Sequence, residues 1–305
     1  MNKKNVPMES LLRSSPSGSR SRNKEVAAGR NIRLEIEYDG TRYNGWQVQR
    51  ESKSNLSTRK TRTIQETIEN TLQGILQKKA ALIVSGRTDS GVHAKGQVAN
   101  FKTASQIALP KLQKALNSLL PKDISVSKVE EVGPDFHSRF DAKSKLYCYT
   151  ILNSPYPCAL LRRYSYFYPR PLNINLMRKE AKTLLGRHDF KAFCASGSNI
   201  KDTFRTIKHI DIKRLAYSVE SRADRGNKRF FNYTLNAMRY PLIVIDIEAN
   251  GFLYNMVRNI VGSLLEIGKG RFAQGSLRKI LAAKDRKLSG PLVPARGLCL
   301  IKAKY

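Results

Sequence analysis

The hydrophobic period of this chain switches repeatedly between two and about 3.6 residues, and that alternation restricts it to a layered fold of strands and helices. Ile32, Leu34, Ile36 and Tyr38 alternate with polar partners as in a half-buried strand, and Asp39-Gly40 then turns the chain. Thr63 and Glu66 form the T-x-x-E of a capping box, and Ile64, Ile68, Leu72 and Ile75 follow at helical spacing, so a helix is predicted to about Lys78. Strands at Ala80 to Ser85 and Gln97 to Phe101, a helix from Pro110 to Leu120 and a strand from Ile124 to Val129 complete a split βαβ layout. The theme recurs with a strand at Leu146 to Leu152, a helix from Ile174 to Leu185 closed by Gly186, strands at Arg205 to Lys213 and Leu242 to Ala249, and a helix from Gly251 to Ile267. A helix at Ser276 to Lys284 and a strand at Leu298 to Lys304 end the chain. Two similar α/β halves, 31–140 and 141–305, are expected to follow an N-terminal arm, with a cleft between them.

Charge narrows the partner. The 305 residues carry 55 Lys plus Arg against 24 Asp plus Glu, a formal net charge of +31, which points to a polyanion and to nucleic acid in particular. Residues 1–30, rich in Ser, Arg, Lys and Gly, read as a disordered basic arm; a solvated tail, a nonspecific RNA contact and an organelle-targeting segment are all compatible with that composition. Arg50 to Thr63 and Ser221 to Arg229 read as polar loops. Cys148, Cys158, Cys194 and Cys299 contain no C-x-x-C pair, and His93, His137, His188 and His209 lack metal-ligand spacing, so neither a disulfide framework nor a metal site is expected. With no apolar run of about 18 residues, an intracellular, cytoplasmic protein is expected.

Residues 85–101, SGRTDSGVHAKGQVANF, set Arg87, Asp89 and His93 among three glycines between two strands. Such a loop can present Asp89 as an acid, or Asp89 can simply cap the turn with Arg87 as its pair. On the strand from Leu146, Tyr147 and Tyr149 share a face that offers π surface to an unstacked base, or serves only as strand packing. Arg258 lies among Phe252, Met256, Asn259 and Ile260 on a largely apolar helix; a buried guanidinium needs an anion, and Asp89 is the candidate beside other acids. The Gly86 to Gly91 spacing lacks the Lys-Ser/Thr of a phosphate loop. The segment from Gly186 to Phe190 reads as a helix terminator followed by a local His188–Asp189 hydrogen bond, without catalysis.

Taken together, EYDGTRYNGWQ (37–47), SGRTDSGVHAKGQVANF (85–101), FHSRFDAKSKLYCYTI (136–151), GRHDFKAF (186–193) and NGFLYNMVRNIVGSLLEIGKG (250–270) closely resemble the tRNA pseudouridine synthase A family. The resemblance implies an α+β pseudouridine synthase fold, with two similar halves of mixed, largely antiparallel sheet backed by helices around a central cleft. It implies Asp89 as catalytic aspartate, attacking C1′ as nucleophile or removing a C2′ proton as base, and unprotonated at neutral pH beside arginines. It further implies Tyr147 against the base, Arg258 in a salt bridge to the aspartate, Arg87 in base flipping, and His93 and Gln97 in the substrate site. No cofactor or metal is implied. The implied partners are a second copy of the chain and tRNA, with uridines 38, 39 and 40 of the anticodon stem-loop as targets. A silent tRNA-binding protein on the same scaffold is the alternative, and a uracil-releasing hydrolase would want a second carboxylate that no motif supplies.

Overall fold

The structure is a computed structural model that describes residues 29–47, 62–197, 200–215 and 241–305. Most of the basic arm, most of the 50–63 loop and all of 221–229 therefore lie outside the described residues. Among the described residues the strands are β1 (Arg30–Tyr38), β2 (Ile83–Val84), β3 (His93–Thr103), β4 (Ile124–Val132), β5 (Ser144–Leu152), β6 (Tyr166–Phe167), β7 (Gly186–Asp189), β8 (Phe204–Leu215), β9 (Leu242–Ala249) and β10 (Leu298–Lys304). The helices are α1 (Ile64–Leu76), α2 (Leu109–Leu119), α3 (Ile174–Ala181), α4 (Met256–Gly268) and α5 (Ser276–Ala283). No helix among the described residues is long and apolar enough to cross a membrane.

The strands form one ten-stranded sheet in the order β4-β1-β3-β10-β5-β9-β8-β7, with β2 on β3 and β6 on β5. The two halves thus share a sheet rather than owning one each. Their junction is β10, parallel to β3 and antiparallel to β5. Leu300 pairs with Ala94 on one side and with Tyr147 on the other, so the C-terminal strand sets the start of β3 and the middle of β5 two strand spacings apart, roughly 10 Å. Side-chain alternation explains how the sheet buries one face: Ile243, Ile245, Ile247 and Ala249 of β9 are fully buried and their neighbours are not. A single apolar core runs from Ile32 and Phe101 through Tyr149 to Leu264.

Local chemistry sets the elements. The Thr63 side chain accepts from the Glu66 N–H at 3.2 Å, capping α1, whose Ile64, Ile68 and Leu72 are buried. Helix α4 buries nearly all round, and Gly262 lets it touch the Gly290-Pro291 backbone, since a Cβ there would stand 1.9 Å from the Pro291 carbonyl oxygen. Gly262→Ala is expected to cost on the order of 3 kcal/mol in denaturant unfolding, because the obstacle is backbone and cannot rotate away.

Four predicted elements differ from those observed. The strand from Ala80 shrinks to Ile83–Val84 because the Leu82 N–H is taken by the Glu69 carboxylate of α1 instead of a strand partner. Strand β3 begins at His93 rather than Gln97; Gly96 lies inside it and admits the Ile301 carbonyl of β10, which a Cβ would meet at 2.6 Å. Helix α4 starts at Met256, not Gly251, since Asn255 adopts φ 60° and leaves Gly251 to Tyr254 as a loop. Helix α3 ends at Ala181, followed by a 3-10 turn, and Gly186 at φ 91° opens edge strand β7. The expected His188–Asp189 bond is not made: His188 Nε2 lies 2.8 Å from the Leu185 carbonyl, and Asp189 accepts from Thr203 and pairs with Lys284.

Candidate active site

The turn between β2 and β3 is clamped from both flanks. The Ser85 N–H bonds to the Val98 carbonyl and its hydroxyl to Gln97 Oε1, while Gln97 Nε2 donates to the Gly86 carbonyl at 2.9 Å. On the other side Trp46 N–H donates to the Thr88 carbonyl at 3.0 Å, the Thr88 hydroxyl meets Tyr38 Oη at 2.7 Å, and Ser90 Oγ donates to the Tyr43 carbonyl. Gly45, at φ 77°, is what allows this approach, for a Cβ there would be 2.5 Å from the Thr88 carbonyl oxygen. A backbone pinned this way holds the Asp89 side chain with little freedom, which is what a reacting group requires.

The carboxylate of Asp89 faces Arg258, not Arg87. Arg258 Nη1 stands 3.6 Å from Asp89 Oδ2, with side chains 14% and 26% exposed. Two further groups steer the guanidinium: its Nε donates to the Val293 carbonyl at 2.8 Å, and Nη1 also donates to Asn255 Oδ1 at 3.0 Å. The left-handed Asn255 at the entry to α4 is therefore part of the arginine's mounting. Burial pushes the Asp89 carboxyl above its ordinary value, and Arg258 pulls it part of the way back. Of the two effects, burial is the larger.

Tyr147 is buried and meets Phe252 edge to face at 5.0 Å. Burial above all, then Tyr38 and the Asp89 charge, drives its phenol upward, so it stays protonated at neutral pH. Phe252 reaches it because Gly251 to Tyr254 is a loop. Tyr149, two residues on, is fully buried and donates to the Pro294 carbonyl at 2.8 Å, a core residue rather than a second ring at the site.

The remaining residues of the predicted set sit differently. Arg87 is exposed on the loop, two residues before Asp89. Gln97 is wholly buried beneath it, with both amide atoms used. His93 is buried under the neighbouring turn: Nδ1 accepts from the Gly40 N–H beside the Asp39 carboxylate, Nε2 meets the Arg163 carbonyl at 2.8 Å, and Tyr164 packs on the ring. Neither side chain has polar capacity left for a ligand in this arrangement. Phe252, Asn255 and Val293 complete the site; only Phe252 stood out in the sequence, as part of an apolar helix face. Among the described residues no group of His, Cys, Asp and Glu is placed to hold a metal ion.

Comparison with known proteins identifies the scaffold. Residues 35–141 and 181–305 match the family model described as tRNA pseudouridine synthase. The chain is 43% identical over 276 residues to a tRNA pseudouridine synthase A 2 of Clostridium perfringens (strain 13 / Type A), covering 90% of this chain and 100% of the relative. It is 41% identical to the tRNA pseudouridine synthase A of Acetivibrio thermocellus and 43% to that of Clostridium acetobutylicum, each over 276 residues with the same coverage. With the match spanning most of the sheet described above and both segments that meet at Asp89 and Arg258, the chain belongs to the tRNA pseudouridine synthase family.

Proposed function

We propose that this isomerase converts uridines 38, 39 and 40 in the anticodon stem-loop of tRNA to pseudouridine, acting in the cytoplasm as a homodimer. The observation that carries the reading is the loop-mounted Asp89, ion-paired with Arg258 beside the buried Tyr147. The reaction breaks the N1–C1′ bond, turns the uracil and rejoins it through C5, with the C5 proton leaving to N1 or solvent, so no atoms are gained or lost. Asp89 initiates it as an ionised carboxylate, by attack on C1′ or by removal of the C2′ proton. Tyr147 packs against the uracil and its phenol helps the C5 proton move. Arg87, exposed next to the acid, serves base extrusion, since a stacked uridine hides its glycosidic bond. Gln97 and His93 act as positioning residues that hold the two turns on which Asp89 rests.

Nothing in this arrangement favours a silent RNA-binding protein, for the acid, arginine and tyrosine all stand together. The substrate region is tested with tRNA transcripts that offer a uridine at 38, 39 or 40 one at a time, mapped at nucleotide resolution. Pseudouridine at these positions and nowhere else is expected; product confined to another stem would overturn the assignment.

A further inference from the structure

Two residues before Tyr147, on the same face of β5, lies a cation with no anion. The β-register sets Lys145 opposite Ala249 on one side and Ala303 on the other, and these small residues leave room for its stem. The side chain crosses the catalytic loop: a Cβ on Gly86 would meet Lys145 Cε at 3.0 Å and Nζ at 3.4 Å. Its ammonium therefore sits over the backbone that leads into Arg87 and Asp89. Two further cations, Arg139 and Arg205, are near enough for their charges to act on Lys145. Arg205 is anchored across the entry to the α4 loop, with Nε 3.3 Å from where a Gly251 Cβ would stand, next to the Phe252 that packs on Tyr147.

Nearby acids are spent elsewhere. Glu248 accepts from Ser144 and Lys304, Asp141 takes the His137 N–H, and Asp202, 77% exposed, accepts from the Phe204 N–H and stands 3.8 Å from Arg205. Among the described residues no carboxylate lies within ion-pair range of Lys145 or Arg139. Burial first, then Arg139 and Arg205, push the Lys145 ammonium below its ordinary pKa, so its surroundings disfavour its charge. A lysine laid over the loop of an RNA-modifying site, with like charges from Arg139 and Arg205 and no carboxylate partner of its own, calls for a phosphate.

We propose that Lys145, with Arg139 and Arg205, forms a phosphodiester-binding site that grips the RNA backbone beside the uridine delivered to Asp89. The inference rests on the reading that tRNA is the substrate, and it adds one defined backbone contact to the general attraction of a basic surface. An anion there offsets the cost of burying the ammonium, and it fixes the target nucleotide along the strand without reading its base.

The test couples the residue to one linkage. Binding of unmodified tRNA is measured for the full-length wild type, Lys145→Met and Lys145→Arg, with tRNAs carrying a single uncharged methylphosphonate at each linkage around the target uridine. One neutralised linkage is expected to weaken wild-type binding about tenfold, Lys145→Met to weaken it as much, and the two together no more than either alone. The salt slope of Lys145→Met should fall by about 0.7 to 0.9, one phosphate's worth, and Lys145→Arg should restore both. Lys145→Met should melt no lower than wild type, because a half-buried cation without a carboxylate partner has been removed; should it not fold, exposed Arg139→Gln is expected to couple to the same linkage. Additive losses at every linkage, or Lys145→Met binding as wild type, overturn the site while wild-type pseudouridine formation leaves the functional reading standing. A wild type that neither binds nor modifies tRNA overturns both.

Discussion

Asp89→Asn is expected to lower turnover on the order of 10⁴-fold or more, leave tRNA affinity within about threefold, and leave the fold at least as stable at neutral pH. Each part has its own cause. Amide nitrogen and oxygen neither attack C1′ nor accept a C2′ proton, so the first bond change is lost outright. Affinity survives because phosphate contacts, spread over a chain of net charge +31, dominate it. Stability survives because the folded carboxyl titrates above its ordinary value, burial being the cause. A group raised in this direction favours the fold when protonated and loses that contribution as pH climbs through its folded pKa; at neutral pH its ionisation opposes folding. Arg258 keeps the Val293 carbonyl and Asn255 Oδ1 when the charge is removed, so it is not stranded. Melting curves at pH 7 with binding and single-turnover assays check all three parts; a large loss of stability would mean that Asp89 is chiefly structural.

Arg258→Lys is expected to cost about 10²-fold in kcat with a smaller change in KM. Lysine preserves the charge yet cannot bond the Val293 carbonyl through Nε while also reaching Asn255 Oδ1 and Asp89 Oδ2, so the carboxylate loses a fixed partner. The acid limb of kcat/KM supplies a second readout. In the wild type it should lie above 3.8, the ordinary value of an aspartate, since burial raises Asp89. Arg258→Met removes the attraction that partly offsets that burial, and the limb should then move further up in pH. An unmoved limb would show that the catalytic ionisation belongs to another group.

The pair at the centre of the site was readable in the sequence because each member broke a rule. Asp89 is an acid among glycines after an apolar strand, and Arg258 is a guanidinium in an apolar helix, so each asked for an explanation that the other supplies. What surrounds them was less legible. Tyr147 and Tyr149 look alike in an alternating strand, and only the sheet places one beside Phe252 and the other under Pro294. The start of α4 hinges on Asn255 in a left-handed turn, which helical spacing across 251–267 conceals. Glycines were no sure guide to boundaries: Gly96 belongs to the interior of β3 because β10 presses against it, and Gly186 opens β7 five residues after α3 has ended. His93 and Gln97, expected to meet substrate, are occupied by hydrogen bonds to backbone that no linear pattern reveals. Lys145 attracted no notice as one lysine in a chain with 55 basic residues, and only the sheet register shows that it lies over the loop without an anion.

The most direct measurement is a single-turnover reaction of the purified protein with an unmodified tRNA transcript, mapped for pseudouridine at nucleotide resolution beside Asp89→Ala. Pseudouridine on the 3′ side of the anticodon stem with wild type, and none with Asp89→Ala at equal tRNA occupancy, is the result expected. Comparable product from both proteins would contradict the assignment of Asp89 as the group that starts the reaction.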